Sequence, residues 1–186
     1  YILVQKSVKD KLIKQIIKTI RKMYGKDVLS NEEYPKMINE KHFDRVIGLM
    51  EGAHIAAGGE SDRVSQKIAP TVLDQVTCES PVMQEEIFGP LLPVLAFYDL
   101  KEAVQMINAR PRPLALYYFT KDKKREAKVL KYISYGGGCI NDTVVHLATS
   151  YMPFGGVGSS GMGGYHGKDS FDTFTHRKSV MKKSLA

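Results

Sequence analysis

The 186-residue sequence predicts an α/β fold built on a largely parallel sheet. Three features point there. Short apolar runs of strand length recur along the chain, amphipathic helical stretches separate them, and no apolar run approaches the roughly 20 residues of a membrane span. A chain of this length buries a sizeable core. Its 43% hydrophobic and 25% charged residues exclude disordered and collagen-like chains.

The elements follow in order. Residues 1–4 form an apolar run that suits a buried strand. Ser7 caps a helix running to Tyr24, with Leu12, Ile13, Ile16, Ile17, Ile20 and Met23 on one stripe and Gly25 beyond its end. Phe43, Val46, Ile47 and Met50 mark a second helix ended by Gly52, and residues 54–57 run as a strand into the Gly58-Gly59 turn. Strands are expected over 70–76 and 91–98. Asp99 caps a helix over 100–109 that turns Val104 and Ile107 inward until Arg110-Pro111-Arg112-Pro113 breaks it. The aromatic alternation of 114–120 is a strand, 122–133 is a basic amphipathic helix, and Gly136-Gly137-Gly138 leads into a strand at Cys139-Ile140. From Asn141 to Phe174 the chain is rich in glycine and serine and lacks a period; irregular stretches that long are usually functional. The segment from Thr175 alternates weakly, as an edge or exchanged strand does, and a frayed terminus is the other reading.

The formal charge is +7, and its location matters more than its size. Residues 1–27 carry eight Lys/Arg against two Asp, residues 121–131 carry six against two acids, and residues 176–186 carry four. In the first two segments the cations alternate with apolar residues at helical spacing, so they are solvated helix faces. No aromatic-in-basic pattern or zinc-finger spacing supports nucleic-acid binding. Cys78 and Cys139 are too few for a disulfide scaffold and suit a reducing, cytoplasmic compartment. The first residues, Tyr-Ile-Leu-Val-Gln-Lys, lack a signal-peptide pattern and enter a strand directly, so a piece of a longer chain is expected.

Self-contained catalytic machinery is not found. Gly156-Val157-Gly158-Ser159-Ser160-Gly161 satisfies GxGxxG, but it lacks a strand before it, a helix after it and an acid at the right distance, which favours a flexible loop. No P-loop, GxSxG, HxxxH or CxxC occurs, so no metal site is expected. Both cysteines lie in apolar surroundings and are expected to be small core residues. Two stretches remain. Gln84-Glu85-Glu86-Ile87-Phe88-Gly89-Pro90 sets two carboxylates and a ring before a Gly-Pro turn; taken alone, an acidic helix end with Phe88 packed in the core explains it. Residues 152–167, Met-Pro-Phe-Gly-Gly-Val-Gly-Ser-Ser-Gly-Met-Gly-Gly-Tyr-His-Gly, are on their own a glycine-rich surface loop.

Together, in this order and separation, the two stretches resemble the NAD(P)-dependent aldehyde dehydrogenase superfamily. PFGGVGSSGMGGYHG followed by SFDTFTHRKSV is similar to the class 3, fatty-aldehyde branch, as are Tyr34-Pro35, residues 38–43 and residues 136–142. The resemblance covers essentially the whole chain. It implies a three-layer α/β/α catalytic domain of which residues 1–174 are the C-terminal part, residues 136–174 the active-site loop region and residues 175–186 an oligomerisation segment joining a homodimer. It implies that the nucleophilic cysteine, general-base Glu, oxyanion-hole Asn and nucleotide-binding domain precede Tyr1, so no catalytic residue is assigned in this chain and Cys139 is not promoted to that role.

In the family a thiolate attacks the aldehyde, hydride passes to nicotinamide, and water activated by a carboxylate releases the acid. By that resemblance NAD or NADP is the coenzyme and an aldehyde the substrate. Glu86 resembles the carboxylate that accepts hydrogen bonds from the nicotinamide ribose, and Phe88 the ring packed near the nicotinamide. Phe154 resembles a loop aromatic at the substrate channel, His146 and Tyr151 are further candidates for lining it, and Asn141 braces the loop. Alternatives are an acyl- or semialdehyde-processing reductase of the same superfamily and a non-catalytic oligomerisation or binding module.

Overall fold

In the computed structural model, which describes residues 1–185, the chain separates into two units, residues 1–99 and the segment from Leu100 on. The first unit opens with β1 (Ile2–Gln5), passes through α1 (Lys9–Tyr24) and α2 (Glu40–Gly48), and continues into β2 (His54–Ala57). A short hairpin of β3 (Ser61–Asp62) and β4 (Lys67–Ile68) follows, then β5 (Thr71–Asp74) and β6 (Leu91–Phe97). One sheet has the order β1-β6-β5-β2, with β6 parallel to both neighbours and β2 an antiparallel edge. Val72 and Leu73 point to opposite faces and both are fully buried, as a parallel sheet covered on two sides requires.

Helix α1 covers one face. Its Ile13, with Leu12, Ile16, Ile17 and Ile20, packs on Val4, Val72 and Val94, while Lys11, Lys14, Lys18 and Lys22 are exposed on the opposite side. Met23, expected on the stripe, is 65% exposed because it lies in the last turn, past Ile20 and just before the helix stops at Gly25 (φ 86°). Ser7 is not the cap: it sits in a 3-10 turn, Lys6–Val8, and Val8 precedes the helix without a side-chain hydrogen bond. Lys9 also departs from the solvated-lysine pattern. It is buried and ion-paired with Asp74 at the end of β5. Burial alone would push the Asp74 carboxyl up; the Lys9 ammonium, the Gln75 N–H and His54 together hold it below the ordinary carboxylate value.

The loop between α1 and α2 is fixed by buried polar contacts. The Tyr34 hydroxyl donates to the Ile68 carbonyl at 2.8 Å, and burial, with Tyr24 beside it, pushes its phenol up to about 12. Lys67 Nζ donates to the carbonyls of Leu29 and Asn31 at 3.1 and 2.7 Å. Helix α2 starts earlier than its apolar spacing predicts because Asn39 Oδ1 accepts the His42 N–H at 2.9 Å and caps it. It also ends at Gly48, leaving Met50 in a following turn.

The second unit contains α3 (Leu100–Asn108), β7 (Ala115–Tyr118), α4 (Lys123–Tyr132), β8 (Gly137–Ile140) and α5 (Gly167–Thr173). Asp122 caps α4 by accepting from the Lys124 and Arg125 N–H groups at 2.8 and 3.2 Å. Asn108 joins the ends of α3 and α4 through the Tyr132 carbonyl at 2.9 Å. Strands β7 and β8 pair in parallel, and Asn141 braces their far end by accepting the Thr120 N–H at 2.7 Å. A Cβ on Gly138 would meet the Leu116 carbonyl oxygen at 1.8 Å, so only glycine allows this close pairing. Helix α5 lies inside the stretch expected to be irregular. The strand expected from Thr175 is not formed: the described residues 175–185 take no regular structure, since a lone strand has no ladder partner within this chain. The last residue of that segment, Ala186, lies outside the described residues. Among the described residues no helix is long and apolar enough to cross a membrane.

Four substitutions test this packing. Lys9→Met leaves a poorly hydrated carboxylate unpaired and is expected to cost about 3 kcal/mol in urea unfolding at neutral pH. Because the folded Asp74 carboxyl titrates below the unfolded value of about 3.9, its contribution is complete above that pH and is lost as pH falls through the folded value. Asp74→Asn should therefore flatten the acid limb of the stability profile. Gly138→Ala should lower stability by about 3 kcal/mol through overpacking, while Gly48→Ala, with open space around it, should raise it by roughly 0.5–1 kcal/mol.

Candidate functional site

The first cluster is the loop that launches β6. After a 3-10 turn, Pro81–Met83, residues 84–90 carry no regular structure, and Pro90 is held to the sheet by its carbonyl, which accepts the Thr71 N–H at 2.8 Å. Arg45 of α2 binds the middle of this loop. Its Nη1 donates to Glu85 Oε1 at 2.8 Å and to the Glu86 carbonyl at 3.3 Å, and its Nη2 donates to the Ile87 carbonyl at 2.6 Å. Arg45 Nε donates to His42 Nδ1 at 3.4 Å, one turn earlier on the same helix. Phe88 then adopts φ 43°, a left-handed conformation unusual for a bulky residue.

As a result Glu85 is occupied by the clamp, whereas Glu86 projects to solvent and Phe88 is 78% exposed. The core-packed reading of Phe88 is thereby overturned. Its ring borders a shallow concavity of about 210 Å³ shared with Lys36, Met37, Ile38 and His42. An exposed carboxylate two residues from an exposed ring sets a hydrogen-bond acceptor beside a surface on which a planar group can stack.

The second cluster lies in the glycine-rich stretch. Val144 (φ 65°) starts a 3-10 turn, Val145–Leu147, that buries His146 to 6% exposure. The His146 ring meets Tyr117 at 5.7 Å and Phe154 at 5.8 Å. Phe154 exchanges two backbone hydrogen bonds with Tyr165, at 2.8 and 2.9 Å, and its ring also contacts those of Tyr165 and His166. This bridge needs the glycines beside it, since a Cβ on Gly155 would lie 2.1 Å from the Gly163 carbonyl oxygen. The GxGxxG segment is a self-bonded turn, Gly158–Ser160, closed by Ser160 Oγ on both the N–H and carbonyl of Val157. Nε2 of His146 and Nδ1 of His166 are buried without a hydrogen-bond partner among the described residues.

The structure thus brings His146 and Phe154 together and leaves Tyr151, at 95% exposure, outside their ring cluster. Glu86 and Phe88 share the loop clamped by Arg45. Sequence reasoning missed Arg45, Tyr117, Tyr165 and His166. For Arg45 no local signal existed, because its three acceptors lie 40–42 positions away. Cys139 is half-buried, and its Sγ lies 3.7 Å from His146 Nδ1, a polar neighbour that its apolar sequence surroundings did not suggest. Cys78 is half-buried as well. Among the described residues no group of three or more His, Cys, Asp or Glu is arranged to hold a metal ion.

Residues 1–180 match the model of the aldehyde dehydrogenase family. The chain is 51% identical over 186 residues to the 4,4'-diaponeurosporen-aldehyde dehydrogenase of Staphylococcus aureus, covering 99% of this chain and 40% of that protein. It is 46% identical to the dimeric NADP-preferring aldehyde dehydrogenase of Rattus norvegicus, covering 100% of this chain and 41% of the other. A substrate-bound Staphylococcus aureus AldH superposes with a TM-score of 0.92 at 49% identity, over 100% of this chain and 42% of that one. An NAD+ complex of Staphylococcus aureus betaine aldehyde dehydrogenase gives 0.78 at 30% identity, over 92% and 36%. The chain therefore spans about two fifths of the length of these relatives. With the family model spanning nearly every residue and the fold reproduced in solved relatives, the chain belongs to the aldehyde dehydrogenase family.

Proposed function

We propose that the full-length protein oxidises aldehydes to carboxylic acids with NAD+ or NADP+, and that this chain supplies one wall of the coenzyme site and part of the substrate channel. The observation that carries the reading is the loop after Met83, where Glu86 and Phe88 are exposed two residues apart in a chain of this family. The coenzyme, when bound, supplies the hydride acceptor. Glu86 would accept hydrogen bonds from its ribose hydroxyls, and Phe88 would pack against the nicotinamide and restrict its motion, which favours a near-attack geometry. No residue of this chain is assigned the thiol role.

Phe154 and His146 line the substrate channel in this reading. A buried ring nitrogen without a partner costs about 1–3 kcal/mol, and a polar group of an incoming ligand would satisfy His146 Nε2. Tyr151 reaches the substrate only as part of the loop's outer surface. The Staphylococcus aureus relative is named for 4,4'-diaponeurosporen-aldehyde, and the aromatic lining of Tyr117, His146 and Phe154 supports an apolar aldehyde here too. The rat relative is described as dimeric. We infer a homodimer joined through residues 175–186, whose Val180, Met181 and Leu185 are exposed apolar side chains, and a cytoplasmic location.

In the full-length enzyme, Glu86→Gln is expected to lower kcat/KM at least about tenfold by weakening a charge-assisted hydrogen bond; unchanged steady-state kinetics with coenzyme and aldehyde varied in turn would remove the ribose assignment. The isolated chain 1–186 should form no NAD(P)H when given aldehyde and coenzyme, and measurable turnover would place the nucleophile within it. Deleting residues 175–186 should convert a dimer to a monomer in sedimentation velocity.

A further inference from the structure

We propose that Arg45 is a positioning residue for the coenzyme: its guanidinium fork fixes the backbone of Glu86 and Ile87, and so sets where the Glu86 carboxylate and the Phe88 ring stand. The proposal rests on the assignment of those two residues to the coenzyme.

The geometry points to this role in three ways. First, the fork is satisfied almost entirely by the loop. One nitrogen bridges Glu85 Oε1 and the Glu86 carbonyl while the other takes the Ile87 carbonyl at 2.6 Å. The carbonyls it takes belong to residues 86 and 87, in a segment without regular structure, so one cation replaces the ladder that would otherwise fix this backbone. Secondly, the next residue of α2, Val46, is fully buried and lies where a Cβ on Gly89 would come within 2.9 Å of its methyl group. One helix turn therefore grips the loop on both sides of Phe88, with Arg45 before it and Val46 after it. Thirdly, the grip leaves Glu86 unused: the clamp takes the Glu85 carboxylate but only the main chain of Glu86. A residue that served stability alone would have no reason to spare that carboxylate while holding its backbone.

The planar fork is the feature that matters. A lysine presents one compact charge and reaches one acceptor well, so it cannot hold three acceptors on successive residues in one plane. Helix α2 is itself anchored by the Asn39 cap, so the guanidinium is carried on a rigid element rather than a second loop. A shift of about 1 Å in a group that orients reactants is enough to cost on the order of a hundredfold in rate.

The test uses the full-length enzyme with Arg45→Met, Arg45→Lys and Glu85→Gln, and Glu86→Gln as the check on the coenzyme assignment. Arg45→Met is expected to weaken NADH binding, followed by nicotinamide fluorescence, about tenfold. Its kcat should fall up to roughly a hundredfold, with the aldehyde KM unchanged and the primary isotope effect from 1-deutero-aldehyde raised as hydride transfer becomes limiting. Arg45→Lys should restore melting temperature but not NADH affinity or the isotope effect, and Glu85→Gln, which keeps both carbonyl contacts, should bind NADH nearly as the parent does. If Arg45→Met is insoluble, Arg45→Lys carries the same readouts.

A loss confined to melting temperature, with NADH affinity, kcat and isotope effect at parental values, overturns the positioning role. So does full recovery by lysine. Should Glu86→Gln behave as the parent, the coenzyme assignment itself falls and the proposal with it; a defective Glu86→Gln beside a normal Arg45→Met removes only the role of Arg45.

Discussion

Strand β6 has a parallel partner on each edge, and that double pairing is the constraint around which the first unit is organised. A strand with both ladders occupied cannot slide, because a one-residue slip would turn Val94 and Leu95 to the wrong faces. Its first residue, Leu91, is paired with Thr71, and the Thr71 N–H reaches back to the Pro90 carbonyl. The end of the preceding loop is thereby tied to the sheet, and Arg45 holds its middle. A flexible connection becomes a defined surface through two backbone anchors and one cation, with most of the cost met by groups that are already ordered.

The same unit shows how a small sheet handles buried polarity. Lys9 and Asp74 are each partly withdrawn from water but face one another. The Thr71 hydroxyl donates to the Ala69 carbonyl and accepts the Gly59 N–H, so a fully buried side chain is satisfied on both sides. Tyr34 is likewise paired. In the second unit two of the three histidines, His146 and His166, keep buried ring nitrogens without partners among the described residues, and Val144 and His166 hold left-handed backbones. Left-handed non-glycine backbones occur in both units, at Gln66, Gln75 and Phe88 in the first and at Asn141, Val144 and His166 in the second, so torsional strain is not confined to the glycine-rich stretch.

Much of this architecture is legible in the sequence. Apolar runs fall on β1, β5, β6 and β7, and Gly58-Gly59 marks the end of β2, because apolar runs and turn residues are local signals. Asp122 was read as the start of α4 for the same reason. The hairpin of β3 and β4 escaped because two-residue strands carry no period. Helix α5 escaped because Gly167, Asp169 and Ser170 are poor helix formers and its apolar face is a single turn. Glu86, Phe88 and Phe154 are candidates through resemblance rather than chemistry, and the clamp and the Tyr165 bridge depend on approaches across loops that no local pattern encodes.

The backbone of Phe88 carries a further consequence. A left-handed torsion at φ 43° is one that glycine accepts freely and an aromatic tolerates only under compulsion. Replacing that residue by glycine would relax the chain locally while discarding an exposed ring, so backbone ease and the aromatic surface pull this single position in opposite directions. Efforts to toughen such a protein by relieving torsional tension would meet position 88 early, and there a calmer backbone comes only with the loss of the ring.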